Sequence, residues 1–331
     1  MAQPQIAVIG LGGIGRRHVR NFHALGCDVR AWDISPEARL SEQVASDVPV
    51  LVVDTLDAAL DGADGVVIAT PPDSHVDLIE AGSDKSLMVE KPLSVTAVGV
   101  GERLSDEYGE PMEKILVAYP WRHWPPLQYV KRLLDEGKIG RVLSVSTTYG
   151  YHLDRHGPHA GRPDSYMRSL ERGGGCLLDT SHAIDYLRWL CGEIAEVSGV
   201  VETRALKMDA DDSADLVVRF ASGAVGALRL SLFLSEVTSR LEILGDSGWA
   251  RWDRGAGVQY STQPGLSVIV DQRGFNGQVH LNKMYLAEAA HFLACIRGEA
   301  TPVCDGWDGL QTLKVVDAAR RASEEKRWVT V

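Results

Sequence analysis

The chain lacks the features that several broad classes of protein require. Among its 331 residues, 34 are lysine or arginine and 45 are aspartate or glutamate, which gives a formal net charge of −11. Because binding to nucleic acid needs a basic surface that neutralises phosphates, we expect no nucleic-acid partner. No apolar run approaches the ~20 residues that cross a bilayer, so we also expect no membrane partner.

Cysteine is scarce as well. Five cysteines are scattered along the chain, their number is odd, and none belongs to a CxxC pair. This pattern favours reduced thiols over a disulfide framework or a zinc site. No signal peptide precedes the first predicted strand, so the sequence predicts a soluble cytoplasmic protein.

The first third of the chain has the pattern of a dinucleotide-binding fold. An apolar strand over residues 5–9 leads into Gly10-Leu11-Gly12-Gly13-Ile14-Gly15, a GxGxxG motif, and a helix is predicted over residues 16–25. Such a turn brings backbone N–H groups and the helix N-terminus close to a pyrophosphate. The residues that we predict to contact the cofactor here are Gly10, Gly12, Gly13, Ile14 and Gly15.

An acidic residue, Asp33, ends the next predicted strand over residues 28–32. A carboxylate at this position accepts hydrogen bonds from the adenosine ribose and repels a 2′-phosphate, so NAD is predicted over NADP. The nearest basic residue, Arg39, would weaken that preference. The alternative is that Asp33 is a helix cap or turn residue, because Asp33-Ile34-Ser35-Pro36 is also a good helix start.

Two further apolar strands end in segments that contain proline. Residues 65–68 lead into Ala69-Thr70-Pro71-Pro72, and residues 87–89 lead into Glu90-Lys91-Pro92. Strand and helix alternate from residue 5 to 119, which predicts a doubly wound parallel sheet, the α/β Rossmann fold. Ligands bind at the carboxyl ends of such strands, so Lys91 would point into the crevice unless Lys91-Pro92 is an ordinary surface turn. The residues predicted to contact the cofactor here are Ala69, Thr70, Pro71, Pro72, His75, Glu90 and Lys91.

The alternation stops after residue 120. A helix is predicted over 127–135, and two closing helices over 285–297 and 307–322. Strands are predicted over 142–149, 195–203, 214–220, 225–233, 240–244 and 249–253. We interpret the runs from residue 195 onward as an antiparallel meander, which predicts an α+β domain with a large, mostly antiparallel open sheet. The predicted domains are a dinucleotide-binding Rossmann domain over 1–119 and a substrate-binding and oligomerisation domain over 120–331.

A predicted helix over residues 179–190 carries side chains suited to acid–base chemistry. At ~100° per residue, one side of this helix is apolar and can pack on the sheet. The other side carries Asp179, His182, Asp185, Tyr186 and Trp189. Oxidation of a secondary alcohol needs a base for the hydroxyl proton, and an imidazole beside a carboxylate meets that need. We therefore assign His182 as general base, with Asp179 or Asp185 orienting it; a solvated polar face is the alternative.

The segment before this helix is rich in histidine and arginine. His152, His156 and His159 have no cysteine nearby, and the intervening Gly-Pro is typical of a loop, so no metal site is predicted. We interpret the segment as a polar loop that covers the substrate. The arginines that could contact a substrate carboxylate or sugar hydroxyls are Arg155, Arg162 and Arg168.

These motifs resemble one oxidoreductase family when they are taken in order. GxGxxG, the acidic strand end, Ala-Thr-Pro-Pro-x-x-His and Glu-Lys-Pro resemble the glucose-fructose oxidoreductase / inositol dehydrogenase family, also called Gfo/Idh/MocA. Residues 119–125, 136–140 and 173–185 resemble it too, so the similarity spans essentially the whole chain. The resemblance implies an NAD-dependent dehydrogenase that reversibly oxidises a secondary hydroxyl of a sugar, a cyclitol or a sugar derivative. It also implies a homo-oligomer, a dimer or tetramer, formed through the open face of the sheet.

The resemblance assigns roles to individual residues. Lys91, His182 and Asp179 become the catalytic residues, with the Lys91 ammonium assisting at the reacting oxygen. Arg122 is implied to contact both cofactor and substrate. The residues implied to bind substrate are Lys91, Arg122, Tyr151, Tyr166, Asp179 and His182.

The sequence also departs from the family pattern. Asp179 and His182 are three positions apart, where the family usually has D-x-x-x-H, and Trp124 stands where a smaller or polar residue is common. Alternative functions therefore stay open. One is tightly bound NAD used for transient oxidation during elimination or glycoside cleavage, a second is a keto-sugar or imine reductase, and a third is a binding protein without catalysis.

Overall fold

The chain forms two compact units in a computed structural model that describes residues 3–105, 111–155, 162–263, 266–270 and 278–331. The first unit comprises Met1–Pro120 and Tyr285–Leu310, and the second comprises Trp121–Met284 and Gln311–Val331. The sequence predicts the same first junction to within a residue, but it assigns 285–310 to the second domain. Phe292 and Leu293 explain the difference, because they are buried in the same apolar core as Ile6 and Val8.

The first unit contains a six-stranded parallel sheet in the order β3-β2-β1-β4-β5-β6. Its strands are β1 (Gln5–Ile9), β2 (Asp28–Trp32), β3 (Leu51–Val52), β4 (Gly65–Ile68), β5 (Ser86–Glu90) and β6 (Ile115–Ala118). Every residue of the central strand β4 and of the edge strand β6 is buried, which is typical of a parallel sheet covered on both faces. This sheet confirms the predicted doubly wound Rossmann fold.

Short helices connect these strands. They are α1 (Gly13–Ala24), α2 (Pro36–Ala45), α3 (Leu56–Leu60), α4 (His75–Ala81), α5 (Val100–Ser105) and α6 (Pro111–Lys114). Helix α1 begins at Gly13 instead of residue 16, because Gly12 is the N-cap and its carbonyl accepts the amide of Arg16 at 3.1 Å. The glycine-rich turn is therefore also the first turn of the helix.

The second unit contains a nine-stranded sheet in the order β14-β13-β12-β11-β7-β10-β9-β8-β15. The strands are β7 (Val142–His152), β8 (Ile194–Glu202), β9 (Ser213–Phe220), β10 (Val225–Ser231), β11 (Phe233–Gly245), β12 (Trp249–Asp253), β13 (Gly257–Gln263), β14 (Leu266–Val270) and β15 (Val329–Thr330). The mostly antiparallel sheet is confirmed, but the simple meander is wrong. Strand β7 lies between β10 and β11 and pairs in parallel with β10.

The helices of the second unit differ from the prediction at residues 179–182, where the candidate catalytic residues lie. They are α7 (Pro125–Asp135), α8 (Cys176–Asp179) and α9 (His182–Cys191). The residues of two later long helices, α10 (Gln278–Ile296) and α11 (Gly306–Glu325), are divided between the two units. Thr180 and Ser181 interrupt the single helix that the sequence predicts over 179–190. Within the described residues, no helix has both the length and the apolarity needed to cross a membrane.

Candidate active site

The glycine-rich turn of the first unit has the space and the donors that a dinucleotide requires. A Cβ atom on Gly10, where φ is +97°, would lie 2.6 Å from the carbonyl oxygen of Ala69, and one on Gly15 would lie 1.8 Å from the carbonyl oxygen of Gly10. Gly12, by contrast, faces open space. Helix α1 has no acidic residue in its first turn, so its N-terminal N–H groups suit the phosphates. These residues fit the predicted cofactor.

Asp33 is held at the end of β2 by backbone donors. Its Oδ2 accepts the amide of Leu11 at 2.7 Å, and its Oδ1 accepts the amide of Ser35 at 2.8 Å. Ser35, not Asp33, caps helix α2, because its hydroxyl accepts the amide of Ala38 at 3.1 Å. Each carboxylate oxygen has a second lone pair, so Asp33 keeps acceptor capacity for ribose hydroxyls.

His75 connects the two loops that follow β4 and β5. Its ring is buried, with Nε2 2.9 Å from the carbonyl oxygen of Thr70 and Nδ1 2.9 Å from that of Pro92. Burial lowers the pKa of His75, and the two carbonyl contacts oppose that shift. His75 therefore fixes the Thr70-Pro71-Pro72 and Lys91-Pro92 loops against each other, and its predicted contact with the cofactor stays a prediction.

Glu90, the last residue of β5, and Lys91, which follows it, differ in burial. Glu90 is buried and its Oε1 lies 2.8 Å from Nε2 of His18, while Lys91 is half-buried. Sequence reasoning missed His18. The available signal was its position three residues after the last glycine of the motif, on the same face of α1 as Val19 and Phe22, which are also buried.

Asp179 and His182 of the second unit lie at a break between two helices. Asp179 is the last residue of α8 and His182 is the first of α9. At the break, the Thr180 hydroxyl donates to the carbonyl oxygen of Cys176 at 2.6 Å. The single predicted helix is therefore wrong, because Asp179 belongs to α8 while His182 and Asp185 are three positions apart on α9. Asp179 and His182 are partly exposed, whereas Asp185 is fully buried.

Asp185 forms a buried ion pair with Arg122. The Nη2 atom of Arg122 lies 2.7 Å from Oδ1 of Asp185, and its Nε lies 3.2 Å from both carboxylate oxygens. Arg122 is 4% exposed and Asp185 is 0% exposed. A pair this deeply buried must stay intact, since either charge alone would be strongly destabilising. The predicted role of Arg122 toward ligands stays a prediction.

Asp179 is instead oriented by a tyrosine from the sheet. The Tyr151 hydroxyl on β7 donates to Oδ2 of Asp179 at 2.6 Å. Burial, and then the adjacent Asp179 carboxylate, raise the pKa of Tyr151 well above its ordinary value, so the phenol stays a donor. The predicted Tyr151 and Asp179 are thus brought together by a hydrogen bond. The place of Tyr166 in the site stays a prediction.

The His182 ring packs beside the same strand. Its centroid is 6.0 Å from that of Tyr149, which precedes Tyr151 by two positions on β7 and therefore lies on the same face of the strand. Tyr149 accepts a hydrogen bond from the indole of Trp121 at 3.2 Å. The imidazole is thus bordered by Tyr149, on the same strand as Tyr151, the donor to Asp179.

The other residues that the sequence analysis singles out contact other parts of the second unit, are exposed, or lie outside the described residues. Arg168 pairs with Asp154 and donates to the carbonyl oxygen of Lys207 at 3.0 Å, so it braces the loop. Arg155 and Arg162 are exposed. Trp124 is 1% exposed and packs edge-on against Trp121 at 5.9 Å, which makes it a core residue. Of the three histidines in the loop, His156 and His159 lie outside the described residues.

Comparison with known proteins identifies the family to which both units belong. A model of an oxidoreductase family with an NAD-binding Rossmann fold, Gfo/Idh/MocA, matches residues 5–110, and a model of the Gfo/Idh/MocA C-terminal domain matches residues 127–251. The inositol 2-dehydrogenase of Rhizobium meliloti (strain 1021) is 29% identical over 99% of each chain. The scyllo-inositol 2-dehydrogenase (NAD(+)) of Bacillus subtilis (strain 168) is 29% identical over 96% of this chain and 93% of its own.

A solved structure has the same fold. Levoglucosan dehydrogenase in complex with NADH superposes with a TM-score of 0.86 at 22% identity, covering 100% of this chain and 99% of its own. At this level of identity the similarity concerns the fold. It extends over both units.

Proposed function

Because the chain belongs to the Gfo/Idh/MocA family of oxidoreductases, we propose that it is an NAD-dependent dehydrogenase. Its substrate is a sugar, a cyclitol or a sugar derivative, of which it reversibly oxidises one secondary hydroxyl. The observation that carries the proposal is the arrangement of Tyr151, Asp179 and His182, a polar cluster of acid–base groups on a rigid strand and at a helix break. Two full-length relatives named inositol dehydrogenases support a polyhydroxylated ring as substrate.

The first unit supplies the cofactor contacts in this proposal. The turn over residues 10–15 and the N-terminus of α1 receive the phosphates, since they offer N–H donors and open space at Gly12. Asp33 receives the adenosine ribose hydroxyls and disfavours a 2′-phosphate, which makes NAD the preferred cofactor. The loops at Thr70 and Lys91 border the nicotinamide half.

The second unit supplies the base. His182 removes the proton of the substrate hydroxyl, and Asp179 stabilises the resulting imidazolium. Tyr151 holds Asp179 in place through the 2.6 Å hydrogen bond. Lys91 donates a hydrogen bond to the same substrate oxygen and favours the developing alkoxide. NAD, when bound, supplies the acceptor for the hydride.

A panel of substrates tests the proposal most directly. We expect one or a few inositols or sugars to give net formation of reduced nicotinamide, read by absorbance, and NAD to outperform NADP. Cleavage or elimination of the substrate without net NADH formation would contradict the dehydrogenase assignment. It would show that the cofactor is oxidised and reduced again within each cycle.

A variant of the first unit completes the test. Lys91→Ala removes the ammonium that favours the alkoxide, so we expect kcat to fall by about 10²–10³-fold. NADH binding, measured by fluorescence, should change little, because the glycine-rich turn and Asp33 are untouched. Lys85→Ala, which removes a lysine just before β5, serves as the matched control and should retain wild-type turnover.

We also propose a homo-oligomer formed through the open face of the nine-stranded sheet. That face presents exposed apolar side chains such as Val217 and Leu244 among ion pairs such as Arg240–Asp253 at 2.8 Å. Alternating charges and apolar groups suit a self-complementary surface. We expect light scattering after size exclusion to show a dimer or tetramer and Val217→Arg to shift it toward monomer. A monomeric wild type would contradict this proposal.

A further inference from the structure

A buried pair of side chains links helix α1 to the Lys91 turn within the first unit. The Nε2 atom of His18 on α1 lies 2.8 Å from Oε1 of Glu90, the last residue of β5. His18 is 0% exposed and Glu90 is 8% exposed. A hydrogen bond to a carboxylate is charge-assisted, so it is stronger and more restrictive in geometry than a neutral one.

The other ring nitrogen of His18 determines where the proton lies. Its Nδ1 is buried and has no hydrogen-bond partner among the residues that the structure describes. A proton on Nδ1 would be a buried donor without an acceptor, which is costly. The tautomer with its proton on Nε2 therefore fits this site, with Nε2–H donating to Oε1 of Glu90.

A second contact from the same helix supports this arrangement. The guanidinium of Arg17 lies 4.5 Å from the centroid of the Tyr285 ring, and Arg17 and His18 are consecutive on α1. Burial, and then the Glu90 carboxylate, raise the pKa of Tyr285 to about 12. Helix α1 thus holds Glu90 through His18 and is itself packed against Tyr285 through Arg17.

The residue on the other side of Lys91 is restrained as well. The carbonyl oxygen of Pro92 lies 2.9 Å from Nδ1 of the buried His75. Lys91 is bonded through the backbone to Glu90 and to Pro92, so both of its neighbours are fixed by buried histidines. Little freedom is left for the backbone that carries the Lys91 side chain.

We infer that His18 is a positioning residue for Lys91: by holding Glu90, it ties the Lys91 turn to the helix whose N-terminus faces the cofactor phosphates. The inference rests on the proposed function, in which Lys91 favours the developing alkoxide. Helix α1 then has two tasks. Its N-terminus receives the phosphates, and its His18 sets the place of the ammonium relative to them.

Two amide variants at position 18 form a matched test. Glutamine places its NH₂ group near the position of Nε2, whereas asparagine places it near that of Nδ1, out of reach of Glu90. Because a misplacement of about 1 Å costs on the order of 10²-fold in rate, we expect His18→Asn to lower kcat of the NAD-saturated enzyme by about ten- to a hundredfold. His18→Gln should restore kcat to within a few-fold of wild type, and KM for NAD should change little in both.

A readout other than activity separates positioning from folding. Melting temperature and NADH affinity by fluorescence are measured for each variant, with Phe22→Leu as a control on the same helix. Phe22 packs edge-on against Phe292 at 6.1 Å, and its ring centroid is 6.3 Å from that of His18. Phe22→Leu keeps both partners of the His18–Glu90 hydrogen bond, so this variant should lose stability and keep kcat. A crystal structure of His18→Asn with NAD should show the Lys91 ammonium displaced by about 1 Å.

Measurements in the Lys91→Ala background distinguish failure of this inference from failure of the proposed function. In that background, His18→Asn should lower kcat no further, because the group that it positions is gone. Wild-type kcat in His18→Asn, together with a strongly impaired Lys91→Ala, would overturn this inference and leave the proposed function standing. Wild-type kcat in Lys91→Ala would overturn the proposed function itself.

Discussion

The two units prepare for ligands in different ways. The first presents mainly backbone: a turn in which Gly10 and Gly15 have no room for a side chain, a helix N-terminus, and a carboxylate, Asp33, that is itself held by amides. The second presents side chains, with Tyr151 on a strand orienting Asp179 at the end of a short helix. A site made of backbone groups depends on the spacing of a few consecutive residues. A site made of side chains depends on which distant segments the fold brings into contact.

This difference sets how each unit should respond to mutation. Loss of the general base from the second unit should lower turnover without affecting nucleotide affinity, since no nucleotide contact is proposed there apart from Arg122. Loss of a cofactor contact such as Asp33 from the first unit should instead alter cofactor choice. Four variants test this separation.

The largest effect is expected from His182→Ala. Without a general base, kcat should fall by about 10³-fold, while the dissociation constant for NADH should stay at its wild-type value. Stopped-flow kinetics and fluorescence titration measure the two quantities. His152→Ala, near the end of β7, is the control. Near-normal turnover in His182→Ala would require another proton acceptor and would remove the contrast between the units.

Arg122→Met should have the next largest effect, and on stability. It removes the guanidinium that pairs with the buried Asp185 carboxylate, so the free energy of unfolding should fall by about 3 kcal/mol in urea titrations. Replacing both residues, Arg122→Met with Asp185→Leu, should recover most of that loss. A stable Arg122→Met with a raised KM for NAD or substrate would show instead that Arg122 serves the ligands, as the sequence resemblance implies.

Asp33→Ala tests the cofactor choice of the first unit. The ratio of kcat/KM for NAD to that for NADP should fall by at least about tenfold, because the ribose acceptor is lost and the repulsion of a 2′-phosphate disappears. Asp28→Ala, at the opposite end of β2 and exposed, should leave the ratio unchanged. An unaltered ratio in Asp33→Ala would remove the structural reason for choosing NAD.

Tyr151→Phe should have the smallest effect of the four. It removes the hydrogen bond that orients Asp179 but keeps the ring, so we expect a loss of about 1 kcal/mol, or roughly five- to tenfold in kcat. Tyr149→Phe keeps that hydrogen bond and should be closer to wild type. Equal effects of the two substitutions would indicate that the orientation of Asp179 does not limit the reaction.

The same contrast explains how much of the molecule could be predicted from its sequence. The Rossmann sheet and the role of the glycine turn were predictable, because the steric limits at Gly10 and Gly15 act over a few consecutive residues. The sheet class of the second unit was also predictable from alternation, but the insertion of β7 between β10 and β11 was not. The neighbours of β7 in the sheet are set by contacts with segments about 80 to 100 residues away in the sequence.

The site helix shows where periodicity fails. A regular 3.6-residue repeat places Asp179, His182 and Asp185 on one face of a single helix. Thr180 and Ser181 interrupt that helix between Asp179 and His182, and Asp185, on α9 with His182, is buried in an ion pair with Arg122. The Thr180 hydroxyl returns to the Cys176 carbonyl, a local competition with helical bonding that composition alone does not reveal. His18 was missed for a different reason. A histidine on the apolar face of a helix cannot be distinguished from an ordinary core residue by sequence, because its partner, Glu90, is 72 residues away in the chain.

The discontinuous first unit has a consequence for synthesis of the protein. Its sheet is encoded by the first 118 residues, yet Phe292 and Leu293 complete the apolar core around β1 and β2. Because a chain leaves the ribosome from its N-terminus, the nucleotide-binding unit must wait, partly assembled, while more than 160 further residues are translated. The part of the enzyme that is made first is thus finished only after most of the chain has emerged, and during that interval its exposed apolar surface is open to chaperones.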